Sequence, residues 1–264
     1  MRDWRTYGIA VLLLALVTEI AWLGENSAVP ANSPAPAPAL TAQPETPAPT
    51  PSPTPLPEPS PTPLPLPDEE HMWQLAIASA DYPMEAEYEV ETVPVDTGYL
   101  FDKRAAGALQ DMLDAARADG MDLYITSAWR SRATQAKLYE NRVYRFQLEG
   151  YSREEAEKIG ATVVARPGTS EHELGLSVDL VTDTYQILDE GFAEQPEYQW
   201  LLEHCAEYGF IQRYPPDKSG ITDIIWEPWH FRYVGRECAE YIMAHHLCLE
   251  EFLEMAGLLP ETET

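Results

Sequence analysis

Arg166-Pro167-Gly168-Thr169-Ser170-Glu171-His172-Glu173-Leu174-Gly175-Leu176-Ser177-Val178-Asp179-Leu180-Val181 is the stretch from which fold and chemistry are read. Gly168 and Gly175 permit tight backbone geometry, because glycine tolerates positive φ. Leu176, Val178 and Leu180 then alternate with Ser177, Asp179 and Val181, the period-two pattern of a half-buried strand. The reading is therefore a turn that carries His172 and runs into a strand that carries Asp179. An imidazole on a loop and a carboxylate on the following strand can converge on one cation. Each residue also has a plainer role: a histidine that caps a loop, or an aspartate paired with Arg or Lys. A buried, unpaired Asp179 is costly, so some cation has to face it.

A second cluster, Trp226-Glu227-Pro228-Trp229-His230-Phe231-Arg232-Tyr233, bears on that choice. It adds an imidazole at His230 and a carboxylate three residues earlier, with Pro228 interrupting any regular ladder. Two histidines and one aspartate leave the fourth position of a tetrahedral zinc ion open, the arrangement of a catalytic rather than a structural site. Glu227, left unligated, is then the proton carrier. The plainer alternatives are His230 packed among Trp229 and Phe231, and Glu227 paired with Arg232.

Together with Ser127-Ala128-Trp129-Arg130-Ser131 upstream, these clusters resemble the VanY-type D-alanyl-D-alanine carboxypeptidases and their D,D-dipeptidase and L,D-carboxypeptidase relatives. The family order is Ser-x-x-Arg, then Ser-x-His-(six residues)-Asp, then Glu-x-x-His. The resemblance extends from about Glu70 to Gly257. It implies Zn2+ held by His172, Asp179 and His230, with Glu227 as catalytic base. It also implies that Arg130 stabilises the charge developing on the scissile carbonyl, a task suited to an always-charged guanidinium. Ser170 matches a substrate-holding position, and Ser127, Gln135 and Trp129 are further candidates for substrate contact. Trp129 and Phe231 stand where the family more often has tyrosine, which keeps the aromatic walls but removes hydroxyls. The implied reaction is removal of the C-terminal D-alanine from peptidoglycan stem peptides. An L,D-carboxypeptidase acting on shortened stems is the alternative enzyme, and an inactive wall-binding module is the alternative of another class. A wall-binding module has no use for a general base at Glu227. His71, His204, His245 and His246 have no comparable context, and no Ser-x-x-Lys motif supports a serine carboxypeptidase.

Working outward, Trp73–Ala78 and Tyr88–Val95 read as short extended segments. Phe101–Asp119 reads as a helix stopped by Gly120, and Leu123–Ser127 as a strand delivering Trp129 and Arg130 at its end. Ala133–Leu148 reads as a second helix, and Ser152-x-x-Glu155 as the capping box of a third. Glu197–Tyr208 reads as helix, Gly209–Tyr214 and Ile224–Val234 as strands, and Gly235–Met255 as one or two helices. Irregular alternation without a repeated βαβ unit points to α+β: a small, mostly antiparallel sheet with helices packed against it.

The 264 residues carry 44 acidic against 17 basic side chains, a net charge of -27 that argues against nucleic acid and anionic lipid surfaces as partners. No obligate protein partner is indicated. Cys205, Cys238 and Cys248 form no Cys-x-x-Cys pair, and three buried thiols are the expected outcome, with one bridge as the alternative. Arg2 and Arg5 precede an apolar run over Gly8–Gly24, read as an uncleaved signal-anchor over residues 1–28. A cleaved signal peptide is the competing reading. Residues 29–69 read as a Pro-rich spacer, since sixteen of the 24 prolines fall between Val29 and Pro67 and force extended polyproline II. At roughly 3.1 Å per residue, such a spacer reaches on the order of 100 Å. The catalytic domain, residues 70–264, is then expected outside the cell membrane, or secreted if the signal is cleaved.

Overall fold

A computed structural model describes residues 63–259. A hairpin of Thr92–Val95 (β1) and Tyr99–Asp102 (β2) precedes the main sheet. That sheet comprises Leu123–Ser127 (β3), Ser177–Thr182 (β4), Phe210–Gln212 (β5) and His230–Tyr233 (β6), in the order β3-β4-β6-β5. Every pairing is antiparallel. The helices are Ala106–Ala118 (α1), Arg132–Leu148 (α2), Arg153–Ala161 (α3), Pro196–His204 (α4), the single turn Ser219–Thr222 (α5), Arg236–Ala244 (α6) and Leu249–Ala256 (α7). The α+β class expected from the sequence is the one observed.

Leu176, Val178 and Leu180 point to one side of β4 and join Leu109, Met112 and Leu113 of α1 in a single apolar cluster. The strand is not half-buried, however: all six of its residues are buried. It lies between β3 and β6, and its polar face is covered by the one-turn 3-10 helix Glu171–Leu174. A second cluster gathers Ile211, Val234 and the inner faces of α6 and α7. Leu75 belongs to it and Leu64 packs against it, so the chain joins the fold before β1 begins.

Local chemistry explains where the elements depart from the sequence reading. Of Trp73–Ala78, expected to be extended, Trp73–Leu75 instead closes the 3-10 helix Glu69–Leu75, which the Asp68 side chain caps by accepting from the His71 backbone N–H at 3.1 Å. Of Tyr88–Val95 only Thr92–Val95 is strand. Helix α1 starts at Ala106, not Phe101. Phe101 pairs with Val93 in the hairpin, and Asp102 Oδ1 accepts from Arg104 N at 2.8 Å to turn the chain. The Ser152–Glu155 capping box forms as expected. Residues Glu197–Tyr208 divide into α4 and a 3-10 turn over Cys205–Tyr208 that Gly209 closes at φ 82. Only His230–Tyr233 of the long apolar run becomes strand, since the His230 N–H bonds back to Glu227 O at 3.1 Å across Pro228. The last stretch breaks into two helices at His246, φ 53. All three cysteines are buried free thiols.

Among the described residues no helix is long and apolar enough to cross a membrane. The expected signal-anchor, residues 1–28, and spacer residues 29–62 lie outside the described residues.

Candidate active site

Strand register assembles the site. Ser127 of β3, Asp179 of β4 and His230 of β6 are Cα partners in one row across three neighbouring strands. Directly opposed residues share a face of the sheet, so Asp179 and His230 meet side by side although 51 positions separate them. His172 arrives from above on the 3-10 turn, which ends at Gly175 in the left-handed region, φ 73. A Cβ on Gly175 would lie 3.3 Å from Trp129 Cδ1 and 3.4 Å from Asp102 N, so both the turn and the close approach require glycine there.

Asp179 receives both imidazoles. His172 Nε2 lies 3.2 Å from Oδ2, and His230 Nδ1 lies 2.9 Å from Oδ1. One ligand atom from each of the three residues falls within 4.8 Å of the others, and all three residues are buried. The tautomer of His172 tests whether a cation fits. Its Nδ1 lies 2.7 Å from the Ala128 carbonyl, which can only accept, so Nδ1 carries the proton and Nε2 presents a lone pair. Burial, then the nearby Arg130, depress the His172 pKa to about 4. A bare nitrogen lone pair thus faces a carboxylate oxygen with no proton between them, and a shared cation resolves that repulsion. An oxygen and two imidazole nitrogens are donors that zinc accepts, and the carbonyl behind His172 is the usual outer partner of a metal-bound imidazole. The three residues therefore fit a zinc ion.

Glu227 and Arg130 face the same cleft, a cavity of about 340 Å³. Glu227 Oε2 lies 3.7 Å from His230 Nδ1. Burial raises its carboxyl to about 8, against the pull of His230. A carboxylate tuned near neutrality is suited to proton transfer. It does not pair with Arg232, which lies against Glu171 instead. The Arg130 backbone N–H donates to His172 O at 3.0 Å, and its side-chain Nε is buried without a hydrogen-bond partner. Desolvation lowers the Arg130 pKa, with Asp179 and Glu227 opposing.

The remaining candidates divide. Ser170 lines the cavity. Ser127, Trp129 and Gln135 do not: Trp129 closes over Gly175, and the buried Gln135 donates through Nε2 to Ala165 O at 2.7 Å, holding a residue of the wall in place. Tyr214, Trp226 and Arg142 are among the lining residues that the sequence does not single out. The Tyr214 ring lies 4.9 Å from that of His230, and its carbonyl accepts the Glu227 N–H at 3.1 Å. The sequence places it only at the end of the expected strand Gly209–Tyr214.

The VanY family profile, described as D-alanyl-D-alanine carboxypeptidase, matches residues 99–236, more than half of the chain and all three parts of the site. The chain belongs to the VanY family. Among VanY relatives, a D-alanyl-D-alanine carboxypeptidase of Enterococcus faecalis is 40% identical over 185 residues, covering 70% of this chain and 67% of its own. A vancomycin-resistance D,D-pentapeptidase VanY mutant from the VanB-type cassette, solved in complex with Zn(II), superposes with a TM-score of 0.63 at 41% identity. It covers 69% of this chain and 99% of its own. The LD-carboxypeptidase LdcB is also similar, with a TM-score of 0.61 at 33% identity over 69% of this chain and 86% of its own.

Proposed function

We propose that this VanY-family protein is a zinc-dependent D-alanyl-D-alanine carboxypeptidase that removes the terminal D-alanine from peptidoglycan stem peptides. The observation that carries the reading is the convergence of His172, Asp179 and His230 beside a carboxyl, Glu227, held near neutral pKa in the same cleft. The metal-bound VanY relative supports zinc as the cofactor. A VanYB structure in complex with D-alanine-D-alanine, 41% identical with a TM-score of 0.63, supports the substrate class.

A zinc ion, when bound, supplies a Lewis acid that polarises the scissile carbonyl and makes water acidic near neutral pH. His172, Asp179 and His230 would hold it. Glu227 takes a proton from the attacking water and returns it to the departing D-alanine amine, so the same group serves as base and then acid. Arg130 directs an unpaired guanidinium into the cleft, where it opposes negative charge growing on the carbonyl oxygen. Ser170 orients the substrate at the cavity wall. Trp226 and Trp229 line the cavity beside Glu227, supplying the water-poor surroundings that keep its carboxyl protonatable.

The upstream chain adds a location. Residues 1–28 act as a signal-anchor and the Pro-rich stretch as a spacer, holding the catalytic domain at the outer face of the membrane. Arg2 and Arg5 before the apolar run and the prolines behind it support this. Cell fractionation tests it: full-length chain belongs in the membrane pellet, and a shortened soluble form alone would mean a cleaved signal.

The reaction is tested by offering the purified protein two stems, one ending in D-Ala-D-Ala and one already shortened to a single D-alanine. Preferential release from the first is expected. Preference for the second would make the protein an L,D-carboxypeptidase, the activity named for LdcB.

A further inference from the structure

The outer face of His230 meets a group that the reaction does not use. Its Nε2 is buried and has no hydrogen-bond partner, and Glu171 Oε2 lies 3.9 Å from it. Glu171 is itself almost fully buried, at 1% exposure, an unusual place for a carboxylate unless its charge is matched. Two guanidiniums match it. Arg213 Nε donates to Oε1 at 2.8 Å, and Arg232 Nη1 lies 2.8 Å from the same oxygen as an ion pair without an aligned hydrogen bond. Arg213 also grips Glu250 of α7 through both terminal nitrogens. Arg232 is fixed further by donating to the Gln74 and Ala76 carbonyls.

These four buried charges balance, two of each sign, yet balance does not explain their presence. Buried ion pairs are usually no more stabilising than well-packed apolar residues of the same volume. What the network does accomplish is positional. It occupies Oε1 from two sides and leaves Oε2 with only a long contact, Ser177 Oγ at 3.4 Å, turned toward His230. The turn that presents His172 thus presents, one residue earlier, a fixed carboxylate behind the opposite imidazole.

Building on the assignment of His230 as a metal ligand, we infer that Glu171 is a positioning residue: its carboxylate takes the His230 Nε2–H, fixing the tautomer that leaves Nδ1 free for the metal. Outer-shell carboxylates behind ligating histidines typically contribute 10–100-fold in metal affinity. Glu250 serves as the internal control, because it belongs to the same charge network but does not face His230.

Three variants of the full-length chain, Glu171→Gln, Glu250→Gln and His230→Ala, are compared by zinc affinity against a chromophoric chelator and by thermal unfolding. Glu171→Gln should weaken zinc by about 10–100-fold. Glu250→Gln should lower the melting temperature yet hold zinc as tightly as the parent. If His230→Ala also keeps parental affinity, the ligand assignment fails and this inference with it. If His230→Ala loses zinc while Glu171→Gln does not, or if Glu250→Gln weakens zinc as much as Glu171→Gln, the positioning role alone is overturned. Nitrogen-15 NMR of the zinc-loaded parent gives an answer that needs no variant to fold. The proton of His230 should sit on Nε2, and a proton on Nδ1 contradicts the inference.

Discussion

Asp179 Oδ1 and His230 Nδ1 lie 2.9 Å apart because the two residues are register partners on adjacent strands. A one-residue slip between β4 and β6 would send one of them to the opposite face of the sheet. The metal position is therefore as well defined as the ladder itself, and His172 needs only one turn to complete it.

Glu227→Gln separates base catalysis from metal binding. The amide keeps the shape and removes the proton carrier, so zinc content should equal that of the parent while turnover falls. General acid–base catalysis contributes about 10²–10⁴-fold, and one group serving two transfers places the loss at the upper end. Metal content and hydrolysis of a D-Ala-terminated peptide are measured on the same sample. Near-normal turnover would put the base elsewhere.

The same residue sets a pH dependence of stability in metal-free protein. The folded Glu227 carboxyl titrates near 8 against an ordinary 4.5, so folded protein keeps a proton that the unfolded chain releases over that window. Stability contributed by this group is complete below pH 4.5 and lost as pH rises through about 8. Metal-free Glu227→Gln should consequently be more stable than the parent at pH 9, by on the order of a few kcal/mol, and similar at pH 4. Denaturant titrations at both pH values decide it, and parallel profiles would contradict the burial of an unpaired carboxyl.

Arg130→Lys retains a charge but loses the planar fork. If the guanidinium meets charge that develops only in the transition state, kcat should fall about 10²–10³-fold with little change in KM. A rise in KM alone would make Arg130 a binding residue.

Gly175→Ala tests the turn. The left-handed φ of 73 and the 3.3 Å approach to Trp129 Cδ1 both oppose a side chain. A loss of about 1–2 kcal/mol in stability is expected from the backbone conformation, together with weaker zinc binding as His172 shifts relative to Asp179. Unchanged affinity would show that the turn does not set the His172 position.

The parts of this molecule legible from sequence are those fixed by local pattern. The alternation around Leu176, Val178 and Leu180 gave the strand, Ser152 and Glu155 the helix cap, and the ordered motifs that carry the family resemblance the three residues that converge as a candidate metal triad. What escaped depends on long-range packing. Phe101 is expected at the start of the helix that ends at Asp119, yet pairing with Val93 takes it into a hairpin. No local pattern in the sequence marks Glu171 as buried. Its burial is settled by Arg213, 42 residues away, and by Arg232 in the strand next to it. Trp129 and Gln135 flank Arg130 in sequence but pack away from the cleft, one onto Gly175 and the other onto the Ala165 carbonyl.

The central claim is zinc-dependent removal of a terminal D-alanine at the His172–Asp179–His230 site. Mass spectrometry of a stem pentapeptide ending in D-Ala-D-Ala, incubated with full-length protein, tests it most directly. A mass loss of one alanine should appear, vanish after chelation and return on adding zinc, and it should be absent from Asp179→Ala under all three conditions. Release that persists through chelation, or that Asp179→Ala supports at the parental rate, would contradict the account.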